Sequence, residues 1–480
     1  MSTFSATRTG RLGSLVGIVV AGTLAACLAL VLAREPPSPA FVATVVVGAG
    51  AVLALAVARY ELTIALGFLL LGVVRVEPAP SDALLAGVMA VALASGRFDL
   101  RRVPGSMLAL LGVLLALNLV SATAAVDFGK ALRFFAITLY LFVFAVWLAT
   151  YLHTAERMRR VIGAYVAGAV AAAALSVLAL LAPIPGHELL TGAGRAQGLF
   201  KDPNVFGPFL IPAALILLEE ALRPRTLGLR RTTSAVLLAV LMLGILFAYS
   251  RAAWLNLGVA LVVTLVVLSL RANAGRAAAG ALALVAVVGG VTAGAIVLTG
   301  SADFLQERAQ VQAYDSARFG AQRTGVELAS EHPLGVGPGQ FELVQPLSAH
   351  SVYVRVLAEQ GVPGLATLVL LLAGTLVLAA RNAAAGRDAH GVGSAVLLGA
   401  WCGLLANSAF VDTLHWRHLW LVAALIWVAA VSVHGGSGAL SGEPPSWASR
   451  SRGPGSRRRP RAGASGLESA AARRGPEARP

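Results

Sequence analysis

Two stretches of this 480-residue chain gather polar side chains and tight turns between long apolar runs. The first reads EHPLGVGPGQF (Glu331 to Phe341), and the second reads HSVYVRVLAEQGVPG (His350 to Gly364). Three glycines and two prolines in the first stretch predict a tight loop, because neither a helix nor a strand tolerates that composition. The second stretch predicts a short helix that is stopped by Gly361, with Pro363 beyond it.

His350 is a candidate proton acceptor because it would stand at the N-terminus of that helix. The positive end of the helix dipole and the unpaired amide groups there disfavour an imidazolium, so the pattern predicts a neutral imidazole. A solvated or capping histidine explains the same position equally well on local evidence. A nucleotide site is disfavoured, because GVGPG lacks the lysine and the strand-to-helix context of a phosphate loop.

Composition indicates a polytopic membrane protein. The chain is 57% hydrophobic and 13% charged, with a mean hydropathy of +0.78, whereas soluble proteins are about 25% charged. The net charge of +15 comes from arginines in short loops and in the C-terminal tail, which indicates topology and not nucleic-acid binding. Cys27 and Cys402 lie in separate apolar runs, so the sequence offers neither a disulfide framework nor a cysteine metal cluster.

Apolar runs predict an all-α bundle of about 12 to 14 transmembrane helices over residues 1–434. Residues 12–33 follow Arg8 and Arg11 and predict an uncleaved first span; Cys27 also fits a lipoprotein cleavage pattern, but the residues after it stay apolar. Further predicted spans are 40–58, 62–76, 82–95, 105–121, 131–151, 161–182, 205–222, 232–250, 254–270, 277–299, 362–380, 393–412 and 419–434. The runs 62–76 and 82–95 are shorter than the roughly 20 residues that a bilayer needs, so a single re-entrant hairpin is an alternative.

Alternate connections between these spans carry the arginines, which predicts that both termini are cytoplasmic. These residues are Arg59, Arg97, Arg101, Arg102, Arg157, Arg159, Arg160, Arg223, Arg225, Arg230, Arg231, Arg271, Arg276, Arg381 and Arg387. The tail, residues 435–480, adds further arginines among Gly, Ser, Pro and Ala, so it is predicted to be a disordered basic cytoplasmic segment. We favour an anchor that contacts anionic membrane lipid over a specific partner site for this tail.

The same alternation places three polar segments on the external face: Gly194 to Asn204, Ser250 with Arg251, and the long loop 300–361 before the last three spans. Asp202 followed by Pro203 predicts a capped helix start, with Arg195 and Lys201 near the membrane surface above it. Arg251 interrupts two apolar runs. It must face a partner or a water-filled cavity, unless it is an anchor that snorkels to the interface.

Four motifs in this order resemble the O-antigen ligase and polymerase family. They are F-K-D-P-N-x-F-G (Phe200 to Gly207), S-R-A-A-W (Ser250 to Trp254), H-P-L-G-V-G-P-G-Q-F (His332 to Phe341) and A-H-S-V-Y-V-R-V-L-A-E-Q-G-V-P-G (Ala349 to Gly364). The resemblance covers residues 190–380 in motif and the rest in hydropathy. One departure is Ser351, which stands where family members usually have Asn.

The resemblance implies a membrane glycosyltransferase that moves a glycan from a polyprenyl (undecaprenyl) diphosphate carrier to an acceptor hydroxyl. It would work on the external, periplasmic face of a bacterial cytoplasmic membrane, with no cofactor. The residues fit this chemistry, because a leaving diphosphate needs guanidinium groups and the acceptor must lose a proton. The catalytic candidates are His350 and Arg251, and the substrate-binding candidates are Arg195, Lys201, Asp202, Asn204, Ser351 and Glu359. No Asp-x-Asp motif or His/Cys ligand spacing appears near them, so no metal is predicted.

Two alternatives stay open at this point. A polysaccharide or lipid transporter or flippase would also be polytopic, but such proteins place ionisable residues near the middle of their spans, often in repeated halves. Within the enzyme interpretation the acceptor is undecided. A growing glycan would make the protein a polymerase, lipid A core would make it a ligase, and a protein hydroxyl would make it an oligosaccharyltransferase.

Overall fold

The computed structural model describes residues 39–431, apart from 77, 183, 271–274, 299, 301–302, 304–305 and 307–312. The predicted first span and the tail, residues 435–480, lie outside the described residues. The described part is almost entirely helical, with one antiparallel pair of two-residue strands. The predicted class, an all-α polytopic bundle, is therefore confirmed.

Sixteen α-helices, two short 3₁₀-helices (Leu70–Gly72 and Leu100–Arg102) and two strands make up the regular structure of the described residues. The helices are α1 (Pro39–Ala58), α2 (Tyr60–Leu69), α3 (Pro80–Ala94), α4 (Gly105–Ala122), α5 (Phe128–Tyr151), α6 (Ala155–Leu181), α7 (His187–Leu190), α8 (Pro203–Leu222), α9 (Arg231–Phe247), α10 (Arg251–Leu270), α11 (Gly275–Leu298), α12 (Ala313–Glu331), α13 (Phe341–Val344), α14 (Val352–Ala384), α15 (Ser394–Ser408) and α16 (Arg417–Val431). Strands β1 (Thr191–Gly192) and β2 (Arg195–Ala196) lie between α7 and α8. By length and composition, six of these helices could cross a membrane: α4, α5, α6, α8, α10 and α14.

Helix α8 lies at the centre of the bundle. In the apolar 18-residue segment of α8, 78% of the residues are buried, whereas in the corresponding segment of α10 only 22% are buried. Helix α8 packs on α9, α10 and α15. Helices α10 and α15 also approach closely, as is seen at Gly403 of α15, where an added Cβ would lie 2.3 Å from Oδ1 of Asn256 in α10. Small residues that let two backbones meet in this way are typical of helix contacts in membranes. Helix α8 is consequently enclosed by its neighbours over most of its length.

Ion pairs occur at both ends of the helices. One group includes Glu61 with Arg160 and Arg225 with Asp388. The other includes Asp82 with Arg417, Arg251 with Asp315 and Arg355 with Asp412. Each pair joins residues that the arginine alternation puts on the same side, and the alternation itself stays a prediction. We call the end with Arg251 and Arg355 the outer end, although which end faces the cytoplasm stays a prediction.

The two short helices α2 and α3 reach from one end of the bundle to the other. Their connection meets outer-end residues: Val73 forms a parallel bridge with Leu199, and Nη1 of Arg75 donates to the carbonyl of Leu189 at 3.2 Å. At the opposite end, Arg97 lies 5.1 Å from the ring centre of Tyr60. This arrangement favours two separate crossings over the re-entrant hairpin.

Helix α14 is broken where the sequence predicts a stop. Gly361 has φ +69° and ψ −170°, a backbone conformation that suits glycine alone, and the helix then continues through Pro363 to Ala384. The amide of Val362 leaves the helix and donates to the carbonyl of Pro333 at 3.2 Å. The predicted short helix is therefore the first segment, residues 352–360, and a second segment follows it directly.

The glycine-rich loop caps this break. The amides of Val336 and Gly337 donate to the carbonyls of Ala358 and Glu359 at 3.1 and 3.0 Å, which are acceptors that the broken helix no longer satisfies internally. A Cβ on Gly335 would lie 2.3 Å from the carbonyl oxygen of Glu359. The loop thus needs glycine for close approach to a helix, and its role here is structural.

Candidate active site

His350 lies one residue before the N-cap of α14, as the sequence predicts. Ser351 is the cap, and its hydroxyl accepts from the amide of Val354 at 3.5 Å. A small polar cap is what this position needs, so serine suits it. His350 itself has φ +46°, in the left-handed region that residues with a Cβ seldom occupy. A half-buried imidazole on such a backbone is typical of a side chain held for function.

The surroundings of His350 favour a neutral ring. Burial lowers the pKa of His350 most, and the positive charge of Arg318 lowers this pKa further, whereas the carboxylates of Asp202 and Asp412 act to raise it. The net direction is downward, in agreement with the predicted neutral imidazole. The physical cause differs from the predicted one, since burial and Arg318 act here where the sequence suggested the helix dipole.

The start of α8 brings three of the predicted binding residues together. Asp202 is the N-cap and accepts from the amide of Asn204 at 2.8 Å, with Pro203 as the first helical residue. Oδ1 of Asn204 accepts from Nη2 of Arg195 at 3.1 Å. Nε of Arg195 donates to the carbonyl of Ala248 at 2.8 Å. Arg195, Asp202 and Asn204 therefore form one network that also contacts the segment before Arg251.

Arg251 is the first residue of α10 and has an acidic partner. Its Nη2 lies 2.6 Å from Oδ1 of Asp315, a buried carboxylate in the first turn of α12. A guanidinium with such a partner is not a lipid-facing anchor, so the snorkelling alternative is disfavoured. The pair also joins α10 to α12, which brings Arg318, one turn after Asp315, to the same place. The outer end thus gathers His350 with Arg195, Arg251 and Arg318.

A cleft of about 190 Å³ opens beside the start of α8. Lys201 and Asp202 line it, together with the aromatic rings of Phe200 and Trp416. Asp202 lines the cleft, and its charge also acts on His350. Lys201, a predicted binding residue, is exposed at this cleft.

Glu359 differs from the other predicted binding residues because it is buried in an ion cluster. Arg355 is only 6% exposed. Its Nε lies 3.2 Å from Oε1 of Glu359, and its Nη2 lies 2.8 Å from Oε1 of Glu342. Its Nη1 lies 2.7 Å from Oδ2 of Asp412. Lys130 lies 3.8 Å from Glu342 at the edge of the cluster. Glu359 therefore supports the loop that carries the site, and a direct contact of Glu359 with substrate stays a prediction.

Asp412 connects this cluster to the site. Burial acts to raise the pKa of Asp412, but the guanidinium of Arg355 and the neighbouring His415 hold this pKa below its usual range. The resulting carboxylate is one of the charges that act on His350. Arg355 and Asp412 were both missed by the sequence argument, as was Arg318. Only Arg355 had a local signal, its i,i+4 spacing to Glu359.

Within the described part of the chain, no three His, Cys, Asp or Glu side chains come close enough together to hold a metal ion. The groups present at this site are guanidinium groups, an imidazole and carboxylates. Independence from metal stays a prediction.

Comparison with known proteins agrees with the motifs. Residues 235–369 match a family model described as O-Antigen ligase. The matched region contains Arg251, Arg318 and His350, whereas the network of Arg195 and Asn204 precedes it. No curated protein matches the chain at a significant level. The resemblance to the O-antigen ligase family is thus confirmed over this region, and it indicates a multi-pass membrane protein with a glycan-transfer function.

Proposed function

We propose, from the O-antigen ligase match over residues 235–369, that the protein transfers a glycan from a polyprenyl diphosphate carrier to an acceptor hydroxyl. The observation that supports this proposal is that Arg318, whose charge acts on His350, lies one turn after the Asp315 partner of Arg251, while Arg195 contacts the segment before Arg251. A diphosphate leaving group and an acceptor proton need such a set of groups.

The guanidinium groups serve the donor. In the transfer, a bond forms between the acceptor oxygen and the anomeric carbon, while the bond from that carbon to the diphosphate breaks. The electron pair of the breaking bond goes to the diphosphate. Because guanidinium groups bind phosphate oxygens through paired N–H donors, Arg195, Arg251 and Arg318 would stabilise the charge that develops there.

His350 serves the acceptor. A neutral imidazole can take the proton of the attacking hydroxyl, which raises the nucleophilicity of the oxygen at the moment of attack. The lowered pKa of His350 keeps the ring neutral at physiological pH. Its neighbour Asp202 would stabilise the imidazolium that forms, since a nearby carboxylate favours the charged ring.

The proposed setting is the external face of a bacterial cytoplasmic membrane, with both termini in the cytoplasm. The arginine alternation supports this orientation. The ionisable groups of the site lie at the ends of helices and not at their middles, which favours an enzyme over a transporter. The acceptor is a glycan, a lipid or a protein hydroxyl.

Disruption of the gene, followed by gel analysis of surface polysaccharide, tests the proposal. Single repeat units on the surface would identify a lost polymerase, and long unattached chains would identify a lost ligase. Complementation with the wild-type gene must restore the pattern. An unchanged pattern of polysaccharides and glycoproteins in the disrupted strain would contradict the proposed function.

A further inference from the structure

Aromatic rings follow one another along the wall of the cleft beside α8. The rings of Phe200 and Phe209 are 5.0 Å apart, those of Phe209 and His418 are 5.8 Å apart, and those of His418 and Trp416 are 4.9 Å apart. All four residues line the cleft. The cleft therefore offers flat apolar surfaces immediately beside the charged groups of the site.

His418 has an unsatisfied polar atom in this wall. It is 2% exposed, and its Nε2 has no hydrogen-bond partner among the described residues. The neighbouring His415 differs, because its Nε2 lies 3.0 Å from the hydroxyl of Thr138. Buried polar atoms are nearly always hydrogen-bonded, so His418 is a candidate partner for a polar group of a molecule bound in the cleft.

The charged residues that line the cleft are Lys201, Asp202 and Arg417, and Arg417 is paired with Asp82 outside the lining. Lys201 is followed directly by Asp202, and Arg417 forms two hydrogen bonds with the carboxylate of Asp82, one of them at 2.5 Å. A site for a diphosphate would need an excess of cations. That excess lies instead among the guanidinium groups near His350, so the cleft suits a neutral ligand.

We propose that this cleft binds one sugar ring of the acceptor, with its hydroxyl bonded to Nε2 of His418 and its C–H face on Trp416. This inference rests on the proposed function. A sugar ring is neutral and has apolar faces and hydroxyl edges, which match the aromatic wall and the unpaired nitrogen. A volume of about 190 Å³ is large enough to admit one sugar ring. Asp202 lines the cleft and its charge acts on His350, so the cleft and the proposed base share one electrostatic neighbour.

Sugar binding to the purified full-length protein in detergent tests the inference without any need for turnover. Thermal unfolding is followed during titration with glucose, galactose, mannose, rhamnose and N-acetylglucosamine. The proteins compared are wild type, His418→Phe and the control His187→Phe, which changes a histidine of α7 outside the cleft. Any non-saturating rise common to all sugars is the osmolyte effect and is subtracted.

We expect at least one sugar to stabilise wild type and His187→Phe with a saturable curve. In His418→Phe the half-saturating concentration should rise about tenfold or saturation should vanish, because one hydrogen bond is lost. Phenylalanine removes an unpaired buried polar atom, so unliganded His418→Phe should melt at or above the wild-type temperature. Loss of sugar binding could not then be ascribed to unfolding.

Three outcomes would overturn the inference. One is that no sugar gives a saturable response in wild type, and another is that His418→Phe responds as wild type does. The third appears in transfer assays, if His418→Phe raises the KM for the lipid-linked donor and not the KM for the acceptor. Saturable, His418-dependent binding in a protein that transfers no glycan would leave the sugar site standing and refute the proposed function instead.

Discussion

The chemistry of His350 depends on residues distant from it in the chain. Burial and Arg318 lower its pKa, and Asp202 and Asp412 oppose them. A base must be neutral before it accepts a proton, so these neighbours determine how far the pH can fall before activity is lost. Of these four influences on the pKa of His350, the charge of Arg318 can be removed with least disturbance to the capping of α8 and to the Arg355 cluster.

Arg318→Gln should move the acid limb of the kcat/KM profile to higher pH. Without the positive charge of Arg318 the imidazolium is less disfavoured, so the pKa of His350 rises and the neutral base is lost earlier on acidification. The profile is measured with the purified enzyme and compared with Arg323→Gln, an exposed arginine of the same helix. If both variants keep the wild-type limb, Arg318 does not act on the catalytic proton.

At the scale of elements, the break in α14 and the glycine-rich loop form one unit. The loop satisfies carbonyls that the break leaves open, and the break presents those carbonyls to the loop. His350 lies between them in the chain, so the position of its ring depends on both. Glycine at Gly361 is essential to this unit, because its φ is +69° and an added Cβ would lie 2.0 Å from the carbonyl oxygen of Pro333.

Gly361→Ala should destabilise the protein strongly and abolish activity. The comparison is Gly386→Ala, which changes another glycine of positive φ whose added Cβ would meet no atom within 4 Å. That control should cost only about 1 kcal/mol, the usual strain of a left-handed alanine. Thermal unfolding in detergent measures both. Equal melting temperatures for the two variants would show that the loop does not depend on close approach at Gly361.

The Arg355 cluster is the second element-scale support of the site. Arg355→Met would leave the carboxylates of Glu342, Glu359 and Asp412 without their central cation. Removing one partner of a buried pair typically costs about 3–5 kcal/mol, so denaturant unfolding should show a large loss. The matched control is Arg102→Met, because its pair with Asp99 is exposed and contributes little. A similar small effect in both variants would mean that the cluster does not hold the loops together.

Local signals predicted the elements correctly where the cause was local. Asp202 with Pro203 marks the start of α8, and Gly361 marks the break in α14, because capping and backbone strain act within a few residues. The partners of Arg251 and His350 could not be predicted in this way. Asp315 lies 64 positions after Arg251 in the chain, and Asp412 lies 62 positions after His350. Only the packing of whole helices brings such residues together.

For the whole molecule, the ion pairs of the described residues support two separate ends. The pairs of Glu61 and Arg225 lie at one end, and those of Asp82, Arg251 and Arg355 lie at the other. The arginine alternation predicts which end is cytoplasmic, and on that prediction the site is external.

Reporter fusions test this orientation. Alkaline phosphatase fused after Gln312 should be active, because that segment is predicted to be external, and a fusion after Gly453 should be inactive, because the tail is predicted to be cytoplasmic. A cytoplasmic reporter at the same two positions is the control and should give the opposite pattern. Phosphatase activity at Gly453, or its absence at Gln312, would contradict the predicted orientation and the external position of the site.

Transfer by the purified protein tests the central claim most directly. A lipid-linked donor and an acceptor are incubated in EDTA with wild type, His350→Ala and Arg251→Lys, and donor binding is measured in parallel. We expect turnover by wild type in EDTA, because the site is predicted to need no metal.

His350→Ala should lose about 10²- to 10⁴-fold in turnover with donor binding intact, as for a missing general base. Arg251→Lys should weaken donor binding and turnover together, because lysine lacks the planar fork. Near-normal turnover by both variants, in correctly inserted protein, would contradict the account.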